Sequence, residues 1–412
     1  MWPRPFWSAR LEAAWSRRSV IWLMGVRRAG KTVLCQSIPN AELLDCELPR
    51  VRALLHDPEA FFAERGEQPV VLDGIHRLPN PSEVLKIAAD HFPRVRIIAT
   101  GSSTLAASAR FRDTLAGRKE ELWLTPMVYQ DAVSFTRTNL EHRMLRGGLP
   151  AFFESTTTPE REYQEWLDAF WARDLLELFR LERRAPLLKF LELLFVDSGG
   201  LFQATRFATP CEVSRPTIMN YLAALEATFV VHVLRPFSRR RSHEIVATPR
   251  VYGFDTGFIC HVKGWTSLRP EDRGFLWEHL VLNELHACMQ SRNVQYWRTK
   301  GGREIDFVFA PRGRPPMAIE CKWAEDAFEA DHLEAFRSLY PEGDNIVVAA
   351  DVDTPHSRKL RGLTVPFIGL RHIQQLFLVA DENTPPPRES RSSLIAGGSD
   401  RRPRRRRGPR PI

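Results

Sequence analysis

Gly25-Val26-Arg27-Arg28-Ala29-Gly30-Lys31-Thr32 follows a short apolar run, Val20-Ile21-Trp22-Leu23-Met24, and precedes Val33-Leu34-Cys35-Gln36-Ser37-Ile38. The eight residues fit G-x-x-x-x-G-K-[ST], the phosphate-binding loop, between a strand and a helix as that motif requires. Two glycines let the backbone curl so that successive N–H groups face one anion. The helix opening at Gly30 and Lys31 turns its positive end towards a β-phosphate. Lys31 then reaches the β/γ oxygens, and the Thr32 hydroxyl is placed for magnesium. Gly25, Val26, Arg27, Arg28, Ala29, Gly30, Lys31 and Thr32 are therefore expected to bind a nucleotide.

Outward from the loop, residues 20–130 alternate strand and helix. Strands are expected at 20–24, Glu42–Glu47, Pro69–Asp73, Val95–Thr100 and Glu121–Thr125. Helices are expected at Arg50–Leu55, Glu59–Arg65 and Pro81–His91. This alternation predicts a mostly parallel sheet covered on both faces, with the ligand at its C-terminal strand edge. The third strand closes Val70-Val71-Leu72-Asp73, a Walker B pattern that delivers a carboxylate near magnesium. The alternative role for Asp73 is a helix cap. The next strand ends Thr100-Gly101-Ser102-Ser103, small polar groups placed to sense a γ-phosphate or simply to make a turn.

Farther along, residues 1–19 read as a helical lead-in, with Trp7, Leu11, Ala14 and Trp15 at helical spacing. Residues 160–235 read as helical. Trp166, Phe170, Asp174, Leu175 and Leu178 form one periodic pattern and Leu187–Val196 another. Ser214 with Pro216 starts a helix through Leu225, the second of a helix-turn-helix, and Phe229–Leu234 with Arg250–Phe254 are candidates for a wing. Arg215, Thr217 and Asn220 on that helix are candidate DNA contacts; packing or protein contact is the competing role. Arg239-Arg240-Arg241 is either a phosphate contact or a solvated loop.

Residues 274–378 form a second α/β unit. A helix is expected over Phe275–Gln290, with Glu278 near its start. Strands follow at Val294–Arg298, Glu304–Ala310, Met317–Trp323 and Asn345–Ala350, with a helix at Phe328–Leu339. Asp306 lies on one strand and Glu320-Cys321-Lys322 on the next. A period of two puts Glu320 and Lys322 on one face. Asp306 and Glu320 could hold a metal, Lys322 could activate water, and Glu278 could complete the metal shell. The competing reading is a Glu320–Lys322 salt bridge. The order Glu, Asp, Glu-x-Lys predicts a restriction-endonuclease-like fold.

The composition is ordinary for a globular chain, 43% hydrophobic and 26% charged in 412 residues. No apolar run approaches about 18 residues, so no transmembrane helix is expected, nor does the first stretch resemble a signal peptide. The cysteines form no C-x-x-C pair, which argues against zinc and disulfides and for a reduced, cytoplasmic setting. The net charge of +8 is concentrated. Residues 388–412 hold nine arginines against Glu389 and Asp400, leaving the rest near neutrality. That tail, with Pro385–Pro387 and its Ser-rich segments, is expected to be disordered.

To about residue 378 the chain resembles a prokaryotic family of AAA+ ATPases with a C-terminal domain of unknown function. The resemblance rests on the phosphate loop, Val70–Asp73, Thr100–Ser103, Ala116-Gly117-Arg118, Gly147-Gly148-Leu149-Pro150 and Pro216–Leu225. It continues through Pro249–Gly257, Tyr296-Trp297-Arg298, Glu304–Phe307 and Ile319–Lys322. It implies an AAA+ P-loop parallel-sheet domain, a helical and winged-helix middle segment, and a C-terminal α/β domain similar to PD-(D/E)XK nucleases. The expected organisation is an N-terminal helix over 1–19, the nucleotide-binding domain over 20–155 and the middle segment over 156–260. The nuclease-like domain follows over 261–379 and the tail over 380–412. ATP and magnesium are the implied cofactors. Arg118 matches a family arginine that could touch the γ-phosphate, in cis or from a neighbouring subunit, with Arg110 and Arg112 as competitors and an ordinary surface salt bridge as the alternative for each.

One departure matters. The family usually has Glu after the Walker B aspartate, a base that polarises water; here the residues run Asp73-Gly74-Ile75-His76. Loss of such a base costs orders of magnitude in rate, so ATP binding with slow or absent hydrolysis is expected. His76 is the polar side chain left nearby. The functional expectation is an ATP-binding protein whose nucleotide state controls a nuclease-like or DNA-interacting module. The alternatives are an active ATP- and magnesium-dependent nuclease and a non-enzymatic nucleic-acid-binding adaptor. Nucleic acid, a protein partner or further copies of the chain are the expected partners, and no membrane.

Overall fold

The computed structural model describes residues 2–102, 115–155, 159–179, 183–238 and 248–382. Ser103, Arg110, Arg112, Arg239–Arg241 and the arginine-rich tail lie outside the described residues.

Helix α1 (Pro5–Trp15) leads into β1 (Val20–Met24), whose residues are all buried. The loop then opens α2 (Lys31–Gln36). Next come β2 (Glu42–Asp45), α3 (Pro49–Leu54), α4 (Pro58–Ala63), β3 (Val70–Asp73), α5 (Pro81–His91), β4 (Ile97–Gly101) and β5 (Lys119–Trp123). All pairings are parallel and the strand order is β2-β3-β4-β1-β5. This order puts the end of β1 beside the end of β4, with β3 next to it. The loop, Asp73 and Thr100 therefore share one edge, as Leu23 pairs with Thr100.

The sheet is buried on both faces, so its strands read as continuous apolar runs. Ile21, Leu23, Val71 and Ile98 join one core, and Val20, Trp22, Val70, Leu72 and Ile97 another. Strand edges differ from the sequence expectation by a few residues. Thr125 and Pro126, for example, already belong to the segment leaving β5 towards α6 (Tyr129–Ser134).

Three short helices close the first unit: α6, α7 (Leu140–Arg146) and α8 (Pro150–Phe153). Then α9 (Glu160–Ala169), a π-helical segment (Phe170–Leu175) and α10 (Leu176–Phe179) run as one rod. Beyond α11 (Arg184–Val196) comes β6 (Gly200–Leu201). The pair α12 (Ala204–Ala208) and α13 (Arg215–Ala227) follows, and Ser214 accepts from Thr217 N at the start of α13. Strands β7 (Val231–Leu234) and β8 (Arg250–Gly253), within the two stretches offered as a wing, pair antiparallel, and β6 adds a third strand to β8. The span 160–235 is thus not helical throughout: a Gly-Gly step and a β-branched run interrupt it.

After α14 (Thr256–Lys263), the twenty-residue α15 (Pro270–Met289) begins earlier than its apolar periodicity suggests. Pro270 suits a first helical position, and Asp272 accepts from Arg269 N. Glu278 consequently lies in mid-helix, not near the start. Strands β9 (Val294–Arg298), β10 (Glu304–Phe309) and β11 (Met317–Lys322) precede α16 (Ala330–Leu339). Strands β12 (Asn345–Ala349), β13 (His356–Leu360) and β14 (Leu363–Ile368) lead to α17 (Ile373–Glu382). The mixed sheet has order β13-β14-β12-β11-β10-β9.

One apolar core runs from Trp7 and Leu11 through Trp166 and Phe258 to Leu280 and Ile319, so the units share their interior. Gly147 and Gly148 pack against Asp255, which accepts from Gly148 N at 2.5 Å and caps α14 through Gly257 N. A Cβ on Gly147 would overlap the Asp255 carboxylate. All six cysteines are buried and free. Among the described residues, no helix is long and apolar enough to cross a membrane.

Candidate functional site

At the sheet edge, the Thr32 hydroxyl donates to Asp73 Oδ2 at 2.8 Å, and Thr100 Oγ1 donates to Asp73 Oδ1. Thr100 also accepts from Gly74 N at 2.9 Å. Asp73 therefore bonds the loop threonine and caps no helix. Thr32 and Asp73 together offer magnesium two oxygens of the hard type it takes. Lys31 Nζ donates to the carbonyls of Gly25 and Val26, at 2.6 and 3.0 Å. Burial pulls the Lys31 ammonium down to about 8, opposed by Asp174 and then Asp73.

Gly74 sits at φ +67°. A side chain there would find room, since its Cβ would meet nothing closer than His76 Cε1 at 3.9 Å. The cost is backbone: a left-handed residue other than glycine costs on the order of 1 kcal/mol. Ser102 lies half-buried just past β4. Arg118 donates to Asp90 Oδ1 at 2.6 Å, an ion pair with the surface of α5.

A cleft of about 520 Å³ opens beside the loop, lined by Arg27, Arg28, Lys31 and Thr32 on one side and by Trp2, Phe135 and Pro150 on the other. Three contacts hold the loop that no local pattern announced. Arg4, buried, donates to Ala29 O at 2.9 Å and pairs with Asp131 at 2.6 Å. Trp166 Nε1 donates to Arg27 O at 3.1 Å. Arg27 Nε donates to Asp174 Oδ2 at 2.7 Å. The available signal for Asp174 was a carboxylate on an otherwise apolar helical stripe.

The second constellation lies where β10 and β11 pair antiparallel, with Phe307 opposite Ile319. A register shift against β9 falls between Ile305 and Val308. Asp306 accepts from Cys321 N at 2.7 Å, Lys322 Nζ donates to Glu320 Oε2 at 2.9 Å, and Tyr252 OH donates to Glu278 Oε2 at 3.2 Å. Burial first, and then the negative charge of Asp306, pushes the Glu278 and Glu320 carboxyls up. Burial also raises Asp306, and Lys322 opposes it. The charges of Asp306 and Lys322 act on both glutamates, Asp306 raising them and Lys322 lowering them. Glu320 Oε1 is buried without a hydrogen-bond partner.

Asp306 and Glu320 lie on the paired strands β10 and β11, both buried. Yet among the described residues no group of three or more His, Cys, Asp or Glu side chains is gathered closely enough to hold a metal ion. Glu278 is tied to Tyr252 instead. The Glu320–Lys322 salt bridge of the competing reading is present. On α13, Arg215 and Asn220 are exposed, whereas Thr217 is half-buried and hydrogen-bonded to the Ser214 hydroxyl.

Helix α15 joins this cluster to the first unit. Gln290, its cap, accepts from Trp123 N at 2.7 Å and donates to Trp123 O at 3.0 Å, covering edge strand β5. Asn283 donates to Pro126 O at 3.1 Å, and Glu284 accepts from Tyr129 N.

Residues 17–133 match the family model described as an AAA domain. They form an AAA+ ATPase-like domain. Beyond the ATPase-like domain, residues 137–269 and 273–367 match two families described as domains of unknown function. Uncharacterized proteins of Mycobacterium tuberculosis and Mycobacterium bovis are each 29% identical over 321 residues, covering 75% of this chain and 71% of theirs. Among solved structures, a Walker-type ATPase of Pyrococcus abyssi aligns with TM-score 0.43 and 16% identity, over 64% of this chain and 96% of that one.

Proposed function

We propose that the protein binds ATP with magnesium at Lys31, Thr32 and Asp73, hydrolyses it slowly or not at all, and uses nucleotide state to control its C-terminal unit. The observation that carries this reading is the Thr32–Asp73–Thr100–Gly74 chain of hydrogen bonds at the edge of the parallel sheet. Magnesium would be held by Thr32 and Asp73, where it would neutralise phosphate charge. Lys31 and the amides at the start of α2 would bind the phosphates. Thr100 orients Asp73. No carboxylate stands at residue 74 to take a proton from water, which supports slow turnover. Labelled ATP should bind the full chain and not Lys31→Ala, with steady-state turnover far below that of an ordinary AAA+ enzyme. Equal binding by both proteins, or ordinary turnover, would overturn the reading.

A second reading has its own observation. Glu320 Oε1, buried and unpartnered beside Asp306 and Lys322, is a ligand atom of the type a phosphodiester-cleaving site uses. We infer that a PD-(D/E)XK-like unit, with the helix-turn-helix and β7–β8 hairpin as a winged helix, engages nucleic acid. Plasmid nicking with magnesium or manganese that disappears in Asp306→Ala would support cleavage. Absence of nicking with every metal and DNA form would leave binding without cleavage.

A further inference from the structure

Arg27 is the third residue of the phosphate loop and lines the same cleft as Lys31 and Thr32. Its partner is not part of the nucleotide-binding unit. Asp174 comes from the π-helical segment Phe170–Leu175, its side chain only 2% exposed, and holds Arg27 Nε at 2.7 Å. Trp166, on α9 of the same rod, holds the Arg27 carbonyl at 3.1 Å. The backbone of Arg27 is thus anchored to the rod separately from its side chain. π-Helical turns are uncommon and concentrate at functional sites; this one delivers a buried carboxylate to a phosphate loop. Behind it, the Trp166 ring stacks on Phe170 and Phe254, with centroids 5.1 and 5.5 Å apart, so the rod's packing continues into the segment after β8.

We propose that Arg27 and Asp174 form a triphosphate sensor, in which the γ-phosphate of a bound nucleoside triphosphate takes the Arg27 guanidinium from Asp174 and releases the π-helical segment. The proposal rests on the loop's binding nucleotide as set out above, and adds which residues distinguish a triphosphate from a diphosphate. Arginine bonds phosphate and carboxylate oxygens with the same fork of donors, so the two acceptors compete. A diphosphate ends at the β-phosphate, over Lys31 and the start of α2, and leaves Arg27 with Asp174. A triphosphate extends towards Arg27 and brings more charge than one carboxylate. The electrostatic reach of Asp174 to Lys31 adds to the competition. The rod then receives the signal through the loss of its Asp174 contact.

The test is equilibrium titration of the full chain with magnesium-ATP and magnesium-ADP. Asp174→Asn weakens the competitor and should raise the ATP-over-ADP affinity ratio by about tenfold, the scale of a typical coupling between sites. Arg27→Ala should bring that ratio down towards one. Arg27→Lys keeps the charge without the fork and should fall between. Amide exchange over residues 170–175 should rise with ATP but not ADP, and not at all in Arg27→Ala. An ATP-over-ADP ratio unchanged in all three variants would overturn the sensor while leaving nucleotide binding intact. Binding of both nucleotides by Lys31→Ala as by the wild type would instead overturn the loop assignment itself, and the sensor with it.

Discussion

Lys31 is charged at a cost. Burial lowers its ammonium to about 8 from an ordinary 10.5, while the carbonyls of Gly25 and Val26 accept hydrogen bonds from it. Phosphate oxygens favour the charged form and raise that value again. Binding therefore takes up a proton between pH 8 and roughly pH 10, and none below about pH 7. ATP affinity should be flat up to about pH 7.5 and fall steadily above pH 8. Calorimetry in buffers of different ionisation heat measures the proton uptake directly; constant affinity to pH 10 would contradict it. At this scale the loop, Asp73 and Thr100 were legible because each lies in a short contiguous pattern. Asp174 was not, since its partner Arg27 stands 147 residues away and only the fold brings them together. Gly74 was legible as an absence of carboxylate, whereas its left-handed turn became visible only in the backbone.

At the scale of elements, α15 does more than its apolar periodicity suggests. Its polar residues Asn283 and Glu284, and Gln290 at its cap, satisfy backbone groups in and after edge strand β5. Burial holds the Glu284 carboxyl up at about 8, against 4.5 ordinarily. The folded state thus keeps a proton between pH 4.5 and 8 that the unfolded state releases. Stability contributed by the neutral form is complete below about pH 4.5 and is lost as pH rises towards 8. Glu284→Gln keeps a neutral acceptor for Tyr129 N. Its melting temperature should equal or exceed that of wild type at pH 8, with a flatter profile between pH 5 and 8. A variant that melts lower than wild type at pH 8 would show that the carboxylate itself is needed. Of the elements, the five strands of the parallel sheet and β9–β12 of the mixed sheet were readable from apolar runs, whereas β13, His356–Leu360, and β14, Leu363–Ile368, were not. The early start of α15 and the π-helical turn were not, because neither disturbs the periodicity that marks a helix.

Across the whole molecule, partly buried polar contacts run between the two chemical constellations. The path from the loop leaves through Arg27 and Asp174 to the rod, and through β5 to α15, whose Glu278 meets Tyr252 beside Asp306. A core common to all the units makes independent motion of any one of them costly. The succession of a parallel sheet and a later C-terminal sheet was legible in the order of motifs. The docking surfaces were not, since they are made by a few polar side chains on one long helix and by the closeness of Gly147 to Asp255. The central claim, that nucleotide state reaches the C-terminal unit, is tested most directly by amide hydrogen exchange over residues 270–290 and 304–322 with and without magnesium-ATP. The account predicts altered protection in both segments for the wild type and none for Lys31→Ala. Nucleotide binding that leaves both segments unchanged in the wild type would contradict it.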